Sequence, residues 1–123
     1  MSIGLYILDD DGNPVEEPEV LVWAKWFEEH RRETQIAQTI FPWGRVSTIF
    51  LAMDHNYMEM VVLPEQPVYK PILWETMIFG GELDMEQCRY RSREEAIEGH
   101  AELVKRAIAA RRWWRRILDL LLA

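Results

Sequence analysis

Two histidines and a carboxylate in this chain are spaced to meet through folding rather than through sequence. His55 follows Asp54 at the end of the apolar run 46–55 (VSTIFLAMDH), Glu75 sits inside the apolar run 72–81 (ILWETMIFGG), and His100 lies on a helical apolar stripe. Two imidazoles and a carboxylate can hold zinc and activate a water; without metal they can act as general acid and base. His55, Glu75 and His100 are therefore the candidate catalytic set, and Asp54, His55 and His100 the candidate metal set. No HExxH or similar local spacing supports either, so both depend on the fold. A lone histidine on an apolar stripe is also more often a hydrogen-bonded core residue than a ligand.

A second constellation suits a nucleotide-like ligand. Arg45, Arg89 and Arg91 can pair with phosphate, and Trp43 or Tyr90 can stack on a base. With His55, Glu75 and His100 they make up the candidate ligand-binding residues. Other motifs carry less. Asp9-Asp10-Asp11-Gly12 resembles a calcium loop, but the alternate-ligand spacing fails and Pro14 interrupts it. Gly80-Gly81 has neither the spacing nor the lysine of a phosphate loop, and the single Cys88 has no partner for a disulfide or a zinc framework. No cofactor motif is present.

The elements that must position these residues follow from periodicity and punctuation. Residues 5–8 (LYIL) read as a strand entering the turn 9–14, where Asp, Gly and Asn supply backbone bonds and positive φ. Val20, Trp23, Ala24 and Phe27 recur at helical spacing, which predicts an amphipathic helix over 18–30. Trp23 and Trp26 read as packing, with an aromatic ligand wall as the sharper alternative. Residues 35–41 alternate as a strand, Pro42-Trp43-Gly44 breaks the chain, and 46–55 follow as a strand with two apolar faces. Residues 56–71, with three prolines, read as a long loop, and 72–79 as a strand that projects Glu75 among apolar neighbours. Such a carboxylate must pair with a cation, accept hydrogen bonds or hold a raised pKa. Ser92 with Glu95 forms a capping box that opens a helix, and the stripe Ala96, His100, Leu103, Ala107, Trp114, Leu118, Leu121 carries it to the end. The predicted fold is α+β: a small antiparallel sheet of about four strands with an N-terminal helix and a long C-terminal helix packed on it.

Composition sets the limits. A chain of 123 residues, 49% hydrophobic and 28% charged, fits one globular domain, 1–123. It lacks a secretory h-region and any apolar run near ~20 residues, which predicts a cytoplasmic protein with no membrane partner. The net charge of -7 makes direct DNA or RNA binding unfavourable, yet residues 105–116 carry six cations and no acid. The basic, Trp-rich tail 111–123 holds more apolar surface than one small core needs. Trp113, Trp114, Leu118 and Leu121 are thus the expected interface of a homo-oligomer.

The pieces YILDDDGNPV, VSTIFLAMDH, WETMIFGG and EEAIEGH, spread from Tyr6 to His100, resemble a small protein family common in tailed bacteriophages and prophages. The basic tail lies outside the resemblance, and the family brings no catalytic residues with it. The resemblance implies a phage-encoded accessory protein acting in the host cytoplasm. The leading expectation is a non-catalytic binding protein, an anti-defence factor that sequesters a nucleotide signal or blocks a host immune protein. A hydrolase using His55, Glu75 and His100 and a structural or assembly protein of the particle are the alternatives.

Overall fold

The computed structural model describes residues 4–56 and 70–122. Most of the loop expected over 56–71 therefore lies outside the described residues. The described residues form an α+β fold with a four-stranded antiparallel sheet, a separate two-stranded hairpin and three helices. The hairpin pairs β1 (Tyr6–Leu8) with β2 (Pro14–Glu16). Helix α1 (Val20–Glu29) follows, and then the sheet strands β3 (Gln35–Phe41), β4 (Gly44–Phe50), β5 (Trp74–Phe79) and β6 (Gln87–Tyr90) run side by side in chain order. Helix α2 (Arg93–Ala110) packs across all four strands, and α3 (Trp113–Leu122) ends the described chain. No helix among the described residues is long and apolar enough to cross a membrane.

The register fixes two unlike sheet faces, because residues directly opposite in an antiparallel ladder share a face. Val46 opposite Ile78, Thr48 opposite Thr76 and Phe50 opposite Trp74 face α2, and all six are buried. Arg45 opposite Phe79, Ser47 opposite Met77 and Ile49 opposite Glu75 make up the other face, over which no described helix packs. A short turn, Pro42-Trp43, joins β3 to β4, and Gly44 and Gly80 let the two strand ends touch. A Cβ on Gly44 would fall 1.9 Å from the Phe79 carbonyl oxygen, so no side chain fits there.

Three boundaries differ from expectation. The strand predicted over 46–55 stops at Phe50, because Ala52 turns into left-handed backbone at φ 62°. That buried turn is held in place: the Ala52 carbonyl accepts from Tyr6 N–H and from the indole N–H of Trp23, both at 2.9 Å. Strained backbone persists where its surroundings over-determine it, as here. The C-terminal helix also breaks. Arg111 is extended (φ -64°, ψ 129°), so the stripe that buries Ala96, His100, Leu103 and Ala107 does not continue into α3. Finally α1 buries Trp23, Trp26 and Phe27 in part and leaves Val20 and Ala24 exposed, which turns its inward stripe toward His30.

Candidate functional site

His100 is a core residue. It is 8% exposed, and both ring nitrogens face threonines across the sheet: Nε2 lies 2.8 Å from Thr39 Oγ1 and Nδ1 2.7 Å from Thr48 Oγ1. Thr48 Oγ1 lies 2.5 Å from Thr76 Oγ1, so four side chains form one buried chain of hydrogen bonds. Burial holds the imidazole below its usual 6.5, so it is neutral at pH 7. A neutral ring with one donor and one acceptor fits two hydroxyls with no capacity left over. This polar seam runs between two apolar clusters, one around Phe50, Leu73 and Trp74 and one around Val46, Ile78 and Leu103. Tyr90 stands at its end. Burial raises its phenol pKa, and its ring presses on Gly99.

The expected catalytic and metal sets do not assemble. Glu75 projects from the uncovered face, opposite to the one that meets His100, and pairs with Arg89 across the ladder at 2.9 Å. Its neighbours on that face include Ile49 and Met77, so of the three outcomes open to a carboxylate among apolar groups, ion pairing is the one realised. His55 is exposed beyond the Ala52 turn. Asp54 is buried, and its Oδ1 accepts from the backbone N–H groups of Asn56 (2.7 Å) and Ile72 (3.0 Å), tying the end of one described segment to the start of the next. Among the described residues no three His, Cys, Asp or Glu side chains come together as metal ligands.

The nucleotide constellation is divided in the same way. Trp43 stacks on Phe41 at 4.6 Å and carries the Arg111 guanidinium on its ring, at the α2 side of the sheet. Tyr90 is also on that side. Arg45, lying over the Phe79 ring, and Arg89, paired with Glu75, share the opposite face, and the Arg91 Nε–H donates to the Lys70 carbonyl. Arg45 and Arg89 are opposite residues four apart on β5, about 13 Å along the strand, too far to clamp one phosphate.

The basic tail is partly neutralised from within. Arg111 donates to both carboxylate oxygens of Asp119 and, more weakly, to Glu82, while Arg115 donates to Glu82 at 2.7 Å. Arg116 donates to the carbonyls of Ala109 and Arg111, two groups left open at the end of α2. Trp113, Trp114, Leu118 and Leu121 stay exposed along α3.

A cavity among the described residues lies elsewhere, at the other end of α2. A cleft of about 850 Å³ opens between the hairpin tip, the C-terminal end of α1, β3, β5 and the start of α2. Its apolar wall is Ile7, Leu8, Trp26, Ile36 and Trp74; its polar rim is Asp9, Asp10, Asp11, Gly12, His30, Glu33 and Arg93. Local chemistry builds that rim. Asp9 Oδ1 accepts from Asp11 N–H and Asn13 N–H, both at 2.9 Å, and Gly12 at φ 82° closes the turn, which presents Asp10 and Asp11 outward. His30 stacks on Trp26 at 4.7 Å and its Nδ1 contacts the Trp26 carbonyl at 2.7 Å. A carbonyl only accepts, so Nδ1 carries the hydrogen of that contact. Four carboxylates face one guanidinium, a net of -3 from the acids and Arg93. Trp74 lines both this cleft and a smaller recess behind the Asp11-Gly12 turn. Trp74 is 98% buried, and its Nε1–H has no acceptor in the protein.

Of these rim residues only Asp9, Asp10, Asp11 and Gly12 stood out in the sequence, and there as a calcium-like loop whose spacing fails. The usable signal was the helical spacing of Trp23, Trp26, Phe27 and His30, which continues the aromatic wall to a histidine. No protein-family model, curated protein or solved structure matches the chain.

Proposed function

We propose that this chain is a non-catalytic binding protein that occupies a positively charged surface of a host protein. The acidic, aromatic-floored cleft carries the proposal: its polar groups attract a cation. Carboxylates on a preformed concave surface can stand in for the phosphates that a nucleic-acid-binding protein expects, and the net charge of -7 supports that imitation. The resemblance to a family of tailed phages supports an anti-defence setting, with a host immune protein as the blocked partner. The same cleft argues against sequestering a nucleotide, since phosphate would meet Asp10, Asp11 and Glu33. Self-association belongs to the proposal through the exposed Trp113, Trp114, Leu118 and Leu121 of α3. Light scattering tests it, and a monomer at micromolar concentration contradicts it.

A competition assay tests the main reading. The protein should displace DNA from a basic, DNA-binding host defence protein at one-to-one stoichiometry and leave that partner chemically unchanged. The Asp10→Asn, Asp11→Asn, Glu33→Gln variant should fail to do so. Displacement at a small fraction of one equivalent, or undiminished displacement by the variant, overturns the proposal.

A further inference from the structure

Helix α3 is mounted with its polar side inward. Arg115 donates to Glu82, Asp119 accepts from Arg111, and Arg116 donates to carbonyls at the end of α2, so the three polar residues of α3 are all engaged by the protein's own body. At about 100° per residue, the other seven residues, all apolar, fill an arc of about 200° on the opposite side. They are 41% to 79% exposed, and no other helix or strand among the described residues packs against α3. A surface helix ordinarily turns its apolar side to the core. What reverses α3 is an ion-pair clasp at its root. Arg111, whose side chain is 9% exposed, holds Asp119 at 3.0 Å and Glu82 at 3.4 Å, and Arg115 holds Glu82 at 2.7 Å.

We propose that the clasp of Glu82, Arg111, Arg115 and Asp119 aims the apolar arc of α3 at the α3 of a second copy, so that four charged residues outside the contact control dimer formation. This rests on the reading of α3 as a self-association surface and names what positions it. Area and charge favour a second copy as the occupant. The arc exposes on the order of 700 Å² of apolar surface, more than the largest patch of an ordinary monomer and close to the ~800 Å² that each partner gives to a stable interface. It holds two tryptophans and no charge, the composition of an interface core, so an identical arc meets it without repulsion. An anionic lipid surface fits less well. Lipid headgroups are met by cations projecting beside the apolar face, whereas Arg111 and Arg115 are turned back onto carboxylates, and the chain carries -7 overall. Pairing at α3 also leaves the acidic clefts free, since they lie at the far end of α2.

Light scattering and tryptophan emission, followed across a dilution series of the intact protein, test the clasp. The native chain should be a dimer at micromolar concentration, and its emission should move to shorter wavelength as Trp113 and Trp114 become covered. Leu121→Glu, at the middle of the arc and 76% exposed, should fold normally and stay monomeric. Glu82→Gln with Asp119→Asn leaves the arc intact and should weaken dimerisation by ~10-fold or more, while Glu82→Asp, which keeps the charge, should retain most of it. If the neutral double variant pairs as tightly as the native protein and Leu121→Glu does not pair, this inference falls and self-association through α3 stands. A dimer that survives Leu121→Glu overturns both. A native monomer also overturns both, and its flotation with vesicles of phosphatidylserine and phosphatidylcholine would assign the arc to lipid instead. Should the double variant fail to fold, Asp119→Asn alone, read in the same series, decides by the same outcomes.

Discussion

The His100 seam and the acidic cleft are both polar regions set against apolar walls, and they differ in what their polar atoms lack. In the seam, Thr39, His100, Thr48 and Thr76 satisfy one another in a closed chain. In the cleft, Asp10, Asp11 and Glu33 stand around open space. Residue types that suit chemistry are present in both. Unfilled bonding capacity is present mainly in the cleft, and that is what marks it as the place for a ligand.

The difference can be broken most severely from the seam. His100→Ala should cost about 3 kcal/mol in urea unfolding, through a cavity and two hydroxyls, Thr39 and Thr48, that each lose a partner, while binding of an arginine-bearing peptide by the folded fraction stays as in the native protein. A loss of binding without loss of stability would assign His100 to a site after all. Gly99→Ala should cost about 2 kcal/mol, because its Cβ would fall 2.2–2.3 Å from the Tyr90 ring and hydroxyl, and a smaller side chain at position 90 should restore part of it.

Acid should act on the seam in a defined direction. The unfolded chain protonates His100 near its ordinary 6.5, whereas burial lowers the folded value. The stability this group contributes is whole above pH 6.5, declines as pH falls below it, and levels off only under the folded pKa. Unfolding free energy measured from pH 7.5 to 5 should fall more steeply in the native protein than in His100→Gln; equal slopes would contradict the buried neutral ring. A smaller effect is expected on the uncovered sheet face. Arg89→Ala should cost about 1 kcal/mol, since the pair is half exposed on the arginine side but leaves Glu75 largely covered. At the cleft, Asp10→Asn or Glu33→Gln should change stability by less than about 0.5 kcal/mol, because exposed rim carboxylates hold nothing in the fold.

Much of the architecture is legible in the residues. The capping box at Ser92 does receive Glu95 N–H at 3.1 Å, the alternation of 72–79 gives β5, and the stripe through His100 and Leu103 does face the sheet. The pattern misleads where tertiary bonds override it. Residues 51–55 continue an apolar alternation, yet the Ala52 carbonyl is claimed by Tyr6 and Trp23 and the strand ends. The stripe of α2 runs on in sequence through Trp114, yet the chain breaks at Arg111, where Asp119 and Glu82 hold the guanidinium. β6 lacks a run of apolar residues and gave no strand signal, although it places Arg89 against Glu75. The cleft is the least legible part. Its lining comes from five separate elements, which no linear pattern brings together.

The central claim is that the cleft carboxylates, and not His100, receive the partner. Calorimetric titration of an arginine-bearing peptide into the native protein and into the Asp10→Asn, Asp11→Asn, Glu33→Gln variant tests it most directly. The account predicts one-to-one binding to the native protein, weakened roughly 10-fold or more in a variant that unfolds at the same urea concentration. Equal affinity in the two proteins would contradict it.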